Sequence, residues 1–193
     1  MPGLGDQRAI FGWFYRQVGT LWRWRGMHTR VMWPKWVSKE SDEPKYQRLL
    51  AIIREERQQG REVVVVGVSA GSALGLLAFA EADGDILAFI SICGFTQLKP
   101  TDVTNRELMN LSWFQATNKA ELAARALTAA ERKRILSFIP RSDKVIEPRQ
   151  EYIGGATNIR MHTHGHMVSL VMVLLWRQRQ IARFVDSLAT SRG

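Results

Sequence analysis

Apolar and polar positions follow two different periods along this chain. Tyr46, Leu49, Leu50 and Ile53 recur at i, i+3, i+4 and i+7, the spacing of one helix face, and predict an amphipathic helix over Pro44–Gln59. Ser41, Asp42 and Pro44 mark its start and Gly60 its end. Glu62–Gly67 (EVVVVG) and Ile86–Ile92 (ILAFISI) carry unbroken apolar runs instead, as strands covered on both faces require. Arg8–Gly12 (RAIFG), Thr29–Pro34 (TRVMWP), Ile135–Pro140 (ILSFIP) and Thr157–His162 read as further short strands. Between them lie helical stretches at Arg16–Gly26 and Gly71–Ala82, a capped helix at Asn118 with Glu121, and a short one at Thr128 with Glu131. A turn near Arg149 and a long helix, Met167–Ala189, complete the chain. Six strands alternating with helices predict an α/β three-layer sandwich, a mainly parallel six-stranded sheet with helices on both faces. No repeat and no Pro- or Ser-rich linker divides residues 1–193, which read as a single domain. Gly94–Asn118 is the loosest stretch and the natural place for a small lid or pocket wall.

Composition narrows the setting. At 46% hydrophobic and 23% charged, the 193 residues can bury a sizeable core, which excludes wholesale disorder. A single cysteine, Cys93, excludes an intrachain disulfide framework and a cysteine-built zinc site. The start MPGLGDQRAI has no basic head before an apolar run, so no secretory leader is expected. The longest apolar run, Val168–Trp176, falls short of the ~20 residues a bilayer span needs. A reduced, cytoplasmic location is expected. With 27 Lys+Arg against 18 Asp+Glu the net charge is +9, but no basic run reaches five and no nucleic-acid motif accompanies it. A solvated cationic surface is the plainer reading, and a nucleic-acid partner is not expected.

The sharpest chemical signal is Gly67-Val68-Ser69-Ala70-Gly71, set directly between the strongest strand and a helix of small residues. A serine in so tight a strand-to-helix turn is forced into a strained conformation that lifts its hydroxyl above the sheet, and the following helix aims its free N–H groups at the same point. Gly67 and Gly71 are required because side chains there would collide with neighbours packed across the turn. The stretch lacks both the lysine of a P-loop and the spacing of G-x-G-x-x-G, so phosphate-binding turns match it poorly. A serine hydroxyl needs a base, and the base an orienting carboxylate. Asp143, in Arg141–Pro148 after one predicted strand, and His166, in His162–Met167 after the next, supply both at the sheet edge where ligands bind in open α/β folds.

On these residues the chain resembles a small α/β-hydrolase of esterase or lipase type without a large cap. The elbow at Ser69, an acid turn of the D-x-V-x-x-P kind over Asp143–Pro148, and a Gly165-His166 opening the last helix carry the likeness, which runs from Arg8 to about Leu188. The resemblance implies a nucleophile, acid and base at Ser69, Asp143 and His166. It also implies an oxyanion hole from the backbone N–H of Ala70 and one from the loop Gly12-Trp13-Phe14, placed at Trp13 or, one residue on, at Phe14. Gly12 and Phe14 would line the substrate site. Members commonly carry two further strands at the amino end; without them the expected spatial order is second, first, third, fourth, fifth, sixth. The activity implied is hydrolysis of a carboxylic acyl ester, or of a thioester or amide, through an acyl-enzyme, with no metal and no cofactor. An acyltransferase using the same serine, or a non-catalytic binding member of the fold, are the alternatives.

Other readings of the same residues stay open. His162, His164 and His166 alternate and could share one side of an extended segment, but the H-E-x-x-H spacing is absent and no metal is expected. His164 competes with His166 as base, Asp102 and Asp186 compete with Asp143 as acid, and Cys93 and Ser72 compete with Ser69. The aromatic group Trp13, Phe14, Trp22, Trp24, Trp33 and Trp36 reads mainly as core packing, with Trp13 and Phe14 as pocket wall. Peripheral membrane contact, with Arg23 and Arg25 meeting anionic headgroups, is a further reading. A small acyl ester is the expected partner, and the oligomeric state is left open.

Overall fold

The computed structural model describes residues 1–3, 9–82, 84–98 and 111–191. Helices α1 (Ala9–Arg23) and α2 (Asp42–Gln58) precede β1 (Val63–Val68), α3 (Gly71–Glu81) and β2 (Ile86–Ile92). Then follow α4 (Leu111–Ala126), α5 (Ala129–Arg132), β3 (Ile135–Ile139), α6 (Pro148–Glu151), β4 (Thr157–Arg160), α7 (His166–Trp176) and α8 (Gln178–Thr190). The strands form one parallel sheet in the order β1-β2-β3-β4, so each strand lies beside its successor in the chain. Parallel neighbours need a crossover, and right-handed crossovers return the chain over the sheet faces.

Side chains alternate across the sheet into two cores. Val65, Ile86, Phe89 and Ile135 pack with α2, α3 and α4, whereas Ala88, Ile90, Ile92, Leu136 and Phe138 pack with α1, α7 and α8. Every residue of β2 and β3 is buried, which is why their sequences are continuous apolar runs. The capping box at α5 is as its sequence implies: the Glu131 N–H donates to Thr128 Oγ1 at 3.2 Å and the Thr128 N–H to Glu131 Oε2 at 2.7 Å.

The six-stranded expectation is corrected to four strands among the described residues. The segment expected as strand Arg8–Gly12 is helix α1 from Ala9 onward, with Arg8 outside the described residues. Tyr15, Val18, Gly19 and Trp22 are its buried positions, at i, i+3, i+4 and i+7, and this helical period outweighs the short apolar run at its start. Thr29–Pro34 forms no helix and enters no ladder among the described residues. Its side chains still alternate as a strand's do, Met32 into the first core and Val31 and Trp33 against the second. The helix expected at Asn118 begins earlier, at Leu111, because Trp113, Ala116, Thr117 and Ala120 already form a buried helical face. The long last helix is two: Arg177 leaves helical geometry at φ −101° and ψ 10°. The Leu174 carbonyl beside the break accepts from Trp22 Nε1 at 2.8 Å and from Gln178 Nε2 at 3.0 Å.

A short segment flanks β1 on its other side. The Met1 nitrogen donates to the Val66 carbonyl at 2.6 Å and the Val68 N–H donates to the Met1 carbonyl at 3.0 Å. These two bonds straddle Gly67 in the slanted pattern of a parallel pair and bring Met1–Gly3 alongside the end of β1.

Candidate active site

Only Ser69 and Ala70 separate β1 from α3, so the chain must reverse within two residues. Ser69 takes φ +52°, a left-handed conformation that costs a side-chain-bearing residue of order 1–3 kcal/mol and persists where surroundings over-determine it. They do so here. The Ser69 N–H donates to the Ile92 carbonyl at 3.0 Å, and its own carbonyl accepts from the N–H groups of Ser72 (2.9 Å) and Phe95 (3.2 Å). The crowding expected at the flanking glycines is present. A Cβ on Gly67 would stand 2.5 Å from Ser72 Cα, and one on Gly71 would overlap the carbonyl oxygens of Met1 and Pro2. Since the obstacles are backbone, Gly67→Ala is expected to lower unfolding free energy by at least about 1–3 kcal/mol, read from urea denaturation. An unchanged midpoint would mean the turn is looser than its packing implies.

Asp143 and His166 are brought together by the loops after β3 and β4, which continue the pairing of their strands. The Met161 N–H donates to the Ile139 carbonyl at 2.8 Å, Arg141 N–H to Thr163 O at 3.0 Å, and Gly165 N–H to Ser142 O at 2.8 Å. This zipper sets Asp143 Oδ2 2.6 Å from His166 Nδ1, with the carboxylate side chain fully buried and the imidazole nearly so. Asp143 Oδ1 accepts the N–H groups of Val145 (2.7 Å) and Ile146 (3.2 Å), a turn that fixes the carboxylate plane. Gly165, at φ +87°, makes the bend that starts α7 on His166. The competitor His164 is exposed and its Nδ1 lies 2.8 Å from Ser142 Oγ, while the Asp143 carboxylate meets His166. His162 is exposed as well, so the three histidines do not converge. Among the described residues no three His, Cys, Asp or Glu side chains cluster as metal ligands would. Asp186 is exposed on α8, and Asp102 lies outside the described residues.

Ala70 stands at the N-cap of α3, where backbone N–H groups are not consumed by the helix ladder. Trp13 is corrected. It lies inside α1, where its N–H belongs to the i−4 hydrogen-bond ladder, and its side chain is exposed, so it offers no loop amide. Gly12 and Phe14 share that helix, and Phe14 packs edge-on against Tyr15 with ring centroids 5.6 Å apart. The expected strand-then-loop arrangement placed them beside the serine; the helix leaves all three without that placement. What touches Ser69 instead is Gly3: a Cβ there would stand 2.7 Å from Ser69 Cβ and 3.0 Å from its Oγ. The Gly3-Leu4-Gly5 pattern at the chain start was the available signal, though Leu4 and Gly5 themselves lie outside the described residues. On the elbow's other side, Phe95 follows Gly94 and stacks edge-on with Trp113 at 4.5 Å, an apolar wall within the Gly94–Asn118 stretch.

Two further groups lie behind the acid. Glu151, at the end of α6, is fully buried, and neither carboxylate oxygen has a hydrogen-bond partner among the described residues. Burial, with a contribution from the charge of Asp143, pushes its pKa up to about 9. Nothing in the local pattern Pro148–Glu151 distinguishes this residue from an ordinary surface glutamate in a short helix. Cys93 is buried, and desolvation with the nearby carboxylates of Glu151 and Asp143 raises its thiol well above the usual range, which keeps it protonated and unreactive. Ser72 is buried and accepts a hydrogen bond from Ser91 Oγ at 3.3 Å.

No protein-family profile and no curated protein matches this chain. Solved structures do. One belongs to the work on LipS and LipT, two metagenome-derived lipolytic enzymes, and shares 16% identity at a TM-score of 0.59, covering 92% of this chain and 87% of that one. Another, Paleococcus ferrophilus monoacylglycerol lipase, shares 12% identity at a TM-score of 0.59, with 96% and 92% covered. Their similarity in shape agrees with the parallel sheet and the helices that cover its two faces: this chain has the α/β-hydrolase fold.

Proposed function

We propose that the protein is a serine hydrolase that cleaves carboxylic acyl esters through an acyl-enzyme on Ser69. The observation that carries this reading is the buried Asp143–His166 pair, 2.6 Å apart, on the same carboxyl edge of the sheet as the strained serine. The lipolytic names borne by the two structural neighbours support an ester as substrate. In this mechanism His166, held by Asp143 through Nδ1, takes the Ser69 hydroxyl proton on Nε2 as Oγ bonds to the acyl carbon. The imidazolium then returns the proton to the alkoxide as the carbon–oxygen bond to the alcohol breaks. Water, deprotonated by the same histidine, releases the acid. The Ala70 N–H would hold the oxyanion, a role in which one donor is worth about 3–4 kcal/mol of transition-state stabilisation. Phe95 and Trp113 would face the acyl group.

The direct test is covalent. A fluorophosphonate probe should label the folded protein stoichiometrically, with the adduct mapping to Ser69 by peptide mass, and p-nitrophenyl esters of short acids should be turned over with a burst. A folded protein that resists the probe, or carries the adduct on another residue, is a non-catalytic member of the fold or uses another nucleophile.

A further inference from the structure

The two sheet faces are clothed differently. On one, α2, α3 and α4 together carry six acidic residues (Asp42, Glu43, Glu55, Glu56, Glu81, Glu121) and six basic ones. On the other, α1, α7, α8 and the joint at Arg177 carry five arginines (Arg16, Arg23, Arg177, Arg179, Arg183) against one acid, Asp186. Arg16, Arg23, Arg179 and Arg183 are exposed and enter no ion pair with a described residue.

Between these arginines lies a helix with inverted polarity. The only polar residues of α7, His166 and Ser169, are buried, while Met167, Val168 and Trp176 stand exposed, with Val171 and Met172 half-exposed beside them. These five line one shallow, almost wholly apolar groove, and Trp176 is 67% exposed. A helix apolar on both sides is ordinarily enclosed on both sides. Here Leu170, Val173 and Leu174 cover the sheet, and among the described residues the other side stays exposed at Met167, Val168 and Trp176. At 11 residues α7 is about 16 Å long, and among the described residues no helix is long and apolar enough to cross a membrane.

We propose that this face docks on an anionic lipid surface, with the outer side of α7 and Trp176 entering the headgroup boundary and the flanking arginines meeting the phosphates. Exposed apolar residues on a helix too short to span, packed against two helices (α1 and α8) that carry exposed arginines, are what an interfacial docking face requires. Charge complementarity selects this occupant over a second copy. A two-fold contact would set the patch against itself and oppose five arginines to five. The inference does not depend on the esterase reading, since binding is measured without substrate.

The test is co-sedimentation with vesicles of phosphatidylcholine containing phosphatidylglycerol, against phosphatidylcholine alone, at low and high salt. The full chain should bind the anionic vesicles at low salt and lose them as salt rises. With each arginine near a lipid surface worth about 1 kcal/mol, the pair Arg179→Glu and Arg183→Glu should weaken binding at least about tenfold. Trp176→Asp should weaken it comparably, and circular dichroism should show both variants folded. Equal binding to neutral and anionic vesicles, indifference to both variants, or no binding at low salt overturns the proposal. A dimer in solution that Trp176→Asp splits also overturns it, by assigning the face to a second copy.

Discussion

Ser69→Ala is expected to lower ester turnover by about 10⁴–10⁶-fold, the range seen when the nucleophile of a serine triad is removed. The fold should survive, because the replacement changes neither the left-handed turn nor the hydrogen bonds at the Ser69 N–H and carbonyl. Ser69→Gly separates chemistry from strain. It should be as inactive as the alanine variant yet more stable than it, since glycine adopts φ +52° without the penalty a Cβ imposes. Asp143→Asn completes the comparison. Its Oδ1 can still accept from Val145 and Ile146, so the turn is kept, but an amide NH₂ now faces His166 Nδ1. The histidine is forced to carry its proton on Nε2, the nitrogen that must accept from serine, and kcat should fall by about 10⁴. If alanine at 69 retains turnover, or asparagine at 143 leaves kcat untouched, the hydrolytic machinery lies elsewhere in the molecule.

The parts of this architecture that sequence makes legible are those in which local pattern and tertiary surroundings agree. EVVVVG and ILAFISI read as strands from their short apolar runs, the second buried throughout and the first buried at Val65, Gly67 and Val68, and the serine between β1 and α3 is identified by the elements on either side of it more than by its five letters. Asp143 and His166 were legible by their position after β3 and β4, but what joins them is not: the ladder of Arg141, Ser142, Thr163 and Gly165 is made by backbone groups that any residues could supply. The amino-terminal region is not legible locally, because a run as short as RAIFG has no period of its own and the helix over it is defined by Tyr15, Val18 and Trp22 further on. A strand there would set a loop amide at Trp13, whereas the backbone against Ser69 is at Gly3. The inverted polarity of α7 was equally hidden, because an apolar run does not say which of its residues will be covered. Glu151 is the extreme case, a charge-bearing residue whose burial comes entirely from the tertiary packing around it.

That glutamate gives the second large expected effect, on stability as a function of pH. Its folded pKa, about 9, lies above the ordinary carboxyl value of 4.5, so between these two the folded chain holds a proton that the unfolded chain has released. Stability from this group is therefore fully present below about pH 4.5 and is lost as pH rises through the window toward 9, with a slope approaching about 1.4 kcal/mol per pH unit. Glu151→Gln removes the ionisation and keeps the shape. Near pH 5 the neutral acid and the amide are both buried with no partner among the described residues, and the variant should be no more stable than the parent. By pH 8 the parent must either hold its proton against the solvent or place a second negative charge beside Asp143, whereas the variant does neither, and it should be the more stable by several kcal/mol in the limit of full burial. Urea midpoints for both proteins across this range measure the difference directly, since the remaining carboxyl groups are shared and cancel. Curves that stay parallel would show that Glu151 reaches water or a partner in solution; curves that diverge with rising pH, the variant gaining, would establish a neutral carboxylic acid beside the acid of the proposed triad.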